Sequence, residues 1–175
     1  MAPNQRFSAS ARKRPVDAAP PDPQTVRAAA WALVARRDYT TAELTTRLTD
    51  KGYDAAAIAG AIASLRESRA LDDRRVAAAH VRTARGVKGR GRVRIARELT
   101  ARGLSRDVID EAMSVVAPDE ELASIRRILV RKRWPANPSR ADRQRMFRHL
   151  FGRGFPADAI GKALGTRDED PDDEP

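Results

Sequence analysis

No cysteine occurs in the 175 residues, which excludes disulfides, thiolate catalysis and cysteine-ligated zinc and fits a reducing compartment. Aromatic residues make up only 5% of the chain, so a core has to be assembled from Leu, Ile, Val and Ala. Histidine occurs twice, as His80 and His149, and neither has a carboxylate at ligand spacing, so no metal site is expected. No apolar run approaches the roughly 20 residues of a membrane span. The N-terminal segment also lacks the apolar stretch of a secretory signal. The expectation is a cytoplasmic protein without a membrane partner. Long β-branched runs are missing while alanine is abundant, which favours helix over strand.

What is present is positive charge. The formal net charge is +10, yet the last ten residues, TRDEDPDDEP, hold six acids and one arginine, so residues 1–165 carry +15 against the tail's −5. Such a body attracts polyanions or an acidic protein surface. Residues 1–23, rich in Pro, Ser and Ala and carrying the RKRP string of Arg12 to Pro15, read as a disordered basic arm. Residues 166–175 read as a disordered acidic tail, able to mask the basic body.

Between them lies an internal repeat of 51 residues. Leu48, Leu99 and Leu150 are related by that interval, as are Lys51, Arg102 and Arg153, and Gly52, Gly103 and Gly154. Tyr53, Leu104 and Phe155 follow, then Ile58, Ile109 and Ile160, then Ile62, Met113 and Leu164; upstream, Leu44, Ile95 and Met146 complete the register. Each upstream residue and the leucine four positions later line one helix face. The glycine suits the left-handed position that ends a helix, where any Cβ is penalised. The basic residue before it faces the negative end of the helix dipole, and the apolar residue after it folds back on the helix. Asp54 and Ser105 are positioned to cap the next helix, while Pro156 stands there in the third copy.

An earlier helix precedes each pair. The first runs from about Thr25 to Arg37 on Val26, Ala30, Leu33 and Val34, and Thr40 to Glu43 form a capping box after it. In the second copy, Leu71 to Asp73 cap a helix through Val76, His80, Val81 and Ala84; in the third, Pro118 to Glu120 open a helix carrying Leu122, Ile125, Leu129 and Val130. Trp134, Pro135 and Pro138 end that last helix and Ser139 caps its successor. The expected fold is therefore all-α: three tandem three-helix repeats over residues 24–69, 70–116 and 117–165, forming an elongated, curved array.

The candidate chemistry is basic rather than catalytic. Residues 74–106 hold eleven basic side chains and a single acid, Glu98. Gly86, Gly89 and Gly91 suggest a flexible loop entering a helix whose free amides favour an anion. No Walker string is present, the dinucleotide fingerprint fails at Arg94, and GVKG lacks the sheet that KH domains need. Arg85, Lys88, Arg90, Arg92, Arg94 and Arg97 form one candidate partner or DNA-binding cluster, almost without aromatic interleaving, which argues against a base-stacking platform. Arg131, Lys132, Arg133, Arg143, Arg145 and Arg148 form another; both suit phosphates or partner carboxylates. Asp72 and Asp73 read as helix caps, Trp134 as packing, and no Ser/His/Asp order stands out, so the protein is expected to be neither an enzyme nor a cofactor binder.

These residues resemble the RecX family of bacterial regulators of the RecA recombinase. The resemblance rests on LTDKGYDAAAIAGAIASL (Leu48 to Leu65), ALDDRRVAAAHV (Ala70 to Val81), GRGRVRIARELTARGLSRDVIDEAM (Gly89 to Met113) and LFGRGFPADAIGKAL (Leu150 to Leu164), and covers about residues 25–165. Leu71, Asp72, Gly91, Arg94, Ile95, Glu98, Leu99, Arg102 and Gly103 fit the family pattern of the middle unit, and Arg153, Gly154 and Phe155 its closing string; Pro156 and the tails depart from it. The resemblance implies a non-enzymatic protein that lies in the groove of the RecA–DNA filament; a monomer is expected, although the sequence does not fix the oligomeric state. It implies inhibition or modulation of RecA's ATPase, strand exchange and co-protease activity, in recombination and the SOS response, with contacts to RecA and to single- or double-stranded DNA phosphates. From the residues alone, an autonomous basic nucleic-acid-binding module stays open.

Overall fold

The computed structural model describes residues 23–165. The acidic tail, and the basic arm apart from Pro23, lie outside the described residues. Among those described there are nine helices and no strand. The first triplet is α1 (Pro23–Val34), α2 (Thr41–Asp50) and α3 (Ala55–Glu67); the second is α4 (Asp73–Gly86), α5 (Arg92–Ala101) and α6 (Arg106–Ser114); the third is α7 (Pro118–Arg131), α8 (Arg140–Gly152) and α9 (Ala157–Leu164).

The repeat glycines set the turns. Gly52, Gly103 and Gly154 have φ of 82°, 74° and 85°, the left-handed region that a Cβ disfavours by ~1–2 kcal/mol. In each turn the glycine N–H donates back to the carbonyl three residues earlier: Thr49 and Phe151 at 2.8 Å, Thr100 at 2.9 Å. The apolar residue after it donates to the repeat leucine (Leu48, Leu99, Leu150), each at 3.3 Å. These paired bonds are the Schellman arrangement that the spacing predicts. Arg133 closes α7 in the same way at φ 50° without being glycine, its N–H reaching Val130 and that of Trp134 reaching Leu129.

Caps follow the sequence with two exceptions. Thr40 and Glu43 form a reciprocal capping box, Asp54 accepts from the Ala57 amide, and Asp72 accepts from that of Arg75. Ser139 and Asp142 make a second box at α8. Ser105 stands at the start of α6 but its side chain makes no capping bond, and Pro156 occupies the cap position of α9.

Each triplet closes on its own core. The chain forms two compact units, one ending at Leu71 and the other beginning at Asp72. In the first unit, Val26, Ala30, Leu44, Leu48, Ile58, Ala61, Leu65 and Leu71 are buried together. The second unit holds two cores. One is built on Ala77, Val81, Ala84, Ile95, Leu99, Leu104, Ile109, Met113 and Val116; the other on Ile125, Ile128, Leu129, Met146, Leu150, Phe155, Ala159, Ile160 and Leu164. Val130 is not among them. It is 77% exposed, and Ile128, at 3%, takes the inward place, because Ile125, Ile128 and Leu129 lie three and four apart on one stripe while Val130 lies ~100° further round.

Candidate partner and nucleic-acid interface

The glycine-bearing segment between α4 and α5 is not a loose loop. The Lys88 amide donates to the Thr83 carbonyl and that of Arg90 to Ala84, at 3.3 and 2.9 Å. From the third repeat, Arg153 donates one Nη1 to the carbonyls of Lys88 (3.0 Å) and Gly89 (3.2 Å), while its Nε donates to His149 Nε2. The basic residue before the repeat glycine was expected to face its own helix dipole; in this copy its side chain instead fastens the preceding repeat.

Backbone contact completes the joint. The Gly91 N–H donates to the Arg153 carbonyl at 2.9 Å and the Val93 N–H to the Gly154 carbonyl at 3.0 Å. A Cβ on Gly91 would lie 2.4 Å from backbone atoms of Gly154 and Phe155, and one on Gly154 would lie 2.3 Å from Arg94 Cβ. Both positions need glycine for close approach. Glu121, 4% exposed, accepts the Arg92 N–H at 2.9 Å. The first amides of α5 are thus occupied by protein acceptors, so the helix start is not the free anion cradle that the glycines suggest. Burial raises the Glu121 carboxyl above the usual range, against the Arg92 amide bond and the nearby Arg92 and Arg85 charges that lower it; Asp158 adds to the rise.

The basic clusters divide into engaged and free side chains. Glu98, the one acid of its region, accepts from Arg94 Nε and His80 Nε2 at 3.0 Å each and pairs with Arg90. Burial raises its pKa, but these donors outweigh burial and hold it below the usual range. His80, read as part of an apolar stripe, is half-buried and turned to this carboxylate. Arg85 pairs with Glu120 at 2.7 Å, Arg94 also reaches the Gly152 carbonyl, and Arg145 pairs with Asp142. Lys88, Arg92, Arg97, Arg131, Lys132, Arg133, Arg143 and Arg148 are exposed.

The fold also brings parts of the two clusters together. A Cβ on Gly89 would stand 3.6 Å from Arg131 Nη2, so the Lys88–Gly89 turn lies beside the end of α7. Nearby, burial and then the charges of Lys132 and Arg153 lower the pKa of His149. Lys88, Arg131, Lys132 and Arg153 therefore form one electropositive region from residues that the sequence separates by more than forty positions. Among the described residues no group of His, Cys, Asp or Glu is arranged to hold a metal, and no helix is long and apolar enough to cross a membrane.

Family models match each triplet in chain order. The RecX first three-helix domain matches residues 27–65, the second 72–113 and the third 119–164. The regulatory protein RecX of Halorhodospira halophila is 39% identical over 150 residues, covering 84% of this chain and 91% of that protein. The chain belongs to the RecX family. The regulatory protein RecX of Pseudomonas putida is 34% identical over 150 residues, covering 85% of this chain and 94% of its own. The crystal structure of RecX from Lactobacillus salivarius superposes with a TM-score of 0.70 over 82% of this chain and 94% of that one; at 17% identity this likeness bears on fold alone. The three RecX domains coincide with the helix triplets, and the Arg153 and Gly91–Gly154 contacts join the second to the third.

Three of these contacts escape sequence reading. Glu98 carried a signal, being the sole acid among eleven bases. Glu121 and the second role of Arg153 carried none, because their partners are set by how the second and third repeats meet.

Proposed function

We propose that this protein binds the RecA nucleoprotein filament and modulates its ATPase, strand-exchange and co-protease activities in recombination and the SOS response. It acts in the cytoplasm as a monomer, by binding rather than catalysis, and without a cofactor. Family membership supports the regulatory role. The observation that carries the mechanism is the set of exposed cations left over after internal pairing. Lys88, Arg92, Arg97, Arg131, Lys132, Arg133, Arg143 and Arg148 display charge from two interlocked repeats, available to filament carboxylates and DNA phosphates. Arg85, Arg90, Arg94 and Arg145 already hold carboxylates; in this reading they orient the surface and contribute less to binding.

The test is RecA's ATPase on single-stranded DNA with this protein titrated in. Inhibition is expected, and it weakens at least tenfold in a Lys88→Ala, Arg92→Ala, Arg131→Ala, Lys132→Ala variant that keeps wild-type helicity. An ATPase unaffected by the protein, together with tight, salt-sensitive binding to naked DNA, would instead favour an autonomous nucleic-acid-binding module.

A further inference from the structure

The flank of α8 beside its buried stripe adds an aromatic pair to the cations of the second cluster. Met146 and Leu150 are the buried residues of this helix. About 60–140° round the helix from them, Phe147 and Phe151 lie four apart with ring centroids 5.9 Å apart and planes inclined by 12°. Phe147 is half-buried, packed against the third core. Phe151 is 60% exposed, the most exposed aromatic side chain among the described residues, ahead of Trp31 at 42%. Its inner face rests on Phe147 and its outer side meets solvent. Arg143 borders the pair on one side and Arg148 on the other, with Arg140 and Gln144 a turn or two earlier on the same strip; all four are exposed. No acid occurs between Arg143 and Arg153. The nearest, Asp142, is taken up by Ser139 and Arg145.

A flat ring held by a second ring and framed by cations, on a stretch of helix without an acid, is complementary to an unpaired base whose phosphates run along the arginines. An exposed phenylalanine without that charge frame would suit any apolar partner. An arginine strip without the ring would suit any polyanion, including duplex DNA, whose bases are stacked away inside. The combination selects a single strand. We infer that the Phe147–Phe151 face of α8 is a stacking site for an unpaired base of single-stranded nucleic acid, with Arg143 and Arg148 contacting the flanking phosphates. The sparse aromatics of the chain conceal this site, since only the helix period places these two rings together beside free arginines. The site shares Arg143 and Arg148 with the proposed filament surface but adds the two rings, and it concerns naked single strands.

The experiment measures binding of the full chain to a fluorescent oligothymidylate and to a duplex of equal length, without RecA. Phe151→Ala and Phe151→Leu are expected to weaken single-strand binding about tenfold, Phe151→Trp to preserve it, and all three to leave duplex binding within twofold. The leucine variant keeps an apolar side chain but removes the ring, so stacking and mere burial give different answers. Ultraviolet cross-linking of an iodouracil-substituted strand should map to Phe151. Single-strand affinity unchanged in both the alanine and leucine variants, with wild-type helicity, overturns the inference. So does a Phe151→Leu defect that appears only when RecA is added, which would assign the face to a protein partner.

Discussion

Replacing Gly91 with alanine sets local conformation against packing, and the two predict opposite signs. Gly91 has φ −80° and ψ 163°, which any L residue adopts freely. On chain entropy alone, alanine would stabilise the protein by about 0.4–1 kcal/mol. The new Cβ, however, would sit 2.4 Å from the carbonyl carbon and oxygen of Gly154 and from the Phe155 nitrogen. All three are backbone atoms, so no rotamer change relieves the overlap. The start of α5 and the turn before α9 must separate by about 1 Å to restore van der Waals contact. Such overpacking costs about 1–3 kcal/mol. The separation also strains the Gly91–Arg153 and Val93–Gly154 hydrogen bonds, at 2.9 and 3.0 Å, each contributing about 0.5–1.5 kcal/mol. Packing wins, and the expected loss is about 2–5 kcal/mol, a large part of the ~5–15 kcal/mol that a domain has. Urea unfolding followed by far-ultraviolet circular dichroism would read it as a lower midpoint. Gly103→Ala is the control: its φ is 74° on an exposed turn, so it should lose only the ~1–2 kcal/mol of left-handed strain. A Gly91→Ala protein as stable as wild type, beside a destabilised Gly103→Ala protein, would refute the close approach of the two repeats.

Two further perturbations test the same joint and its neighbours. Burial, Lys132 and Arg153 lower the His149 pKa, so the folded state favours the neutral ring; this contribution is full above the ordinary value of about 6.5 and is lost as pH falls through the lower folded value. Wild-type stability should therefore fall between pH 7 and pH 5 by more than that of His149→Gln, whereas equal falls would show that His149 is not coupled to folding. Arg133 sits at φ 50° and is exposed, so Arg133→Gly should relieve left-handed strain at some cost in chain entropy and raise stability by roughly 0.5–1 kcal/mol; thermal unfolding with an unchanged or lower midpoint would contradict this.

What the sequence makes legible is what each repeat must do by itself. Gly52, Gly103 and Gly154 stand out because a left-handed turn needs the same residue wherever it recurs, and a fixed period exposes the coincidence. The leucines and isoleucines stand out because helix burial repeats every three or four residues. Gly91 fits the family pattern but does not stand out by period or composition. It resembles Gly86 and Gly89, yet a Cβ on Gly86 would meet nothing within 4 Å whereas one on Gly91 would meet backbone at 2.4 Å. The difference lies in a contact more than sixty residues away, which no local pattern encodes. The same limit applies to the arginines. Charge density marks the clusters, but only the fold sorts Arg90 and Arg94, bound to Glu98, from Arg92 and Arg97, which point outward. Neighbours in sequence differ in role because the helix sends them to different faces.

That sorting bears on how a basic surface binds with specificity. A long arginine side chain loses conformational freedom when it is held, and a binder that orders many of them at contact gives up about 0.5–1.5 kcal/mol for each. Here the free cations are not themselves held, but the frame that displays them is ordered before any partner arrives. Glu98 gathers Arg90 and Arg94, Glu120 holds Arg85, and Arg153 fixes the backbone on which Lys88 is displayed. The Gly91–Gly154 contact then makes the second and third repeats one body, so the distance from Lys88 to Arg131 does not depend on a flexible linker. Two cations on independently moving domains would meet a regular array of acidic groups only as often as their spacing happened to match it. Two on one body match it at every encounter or not at all. If the free cations are the binding surface, weakening the joint should therefore lower affinity even in a variant that keeps every arginine and lysine, and Gly91→Ala is that variant.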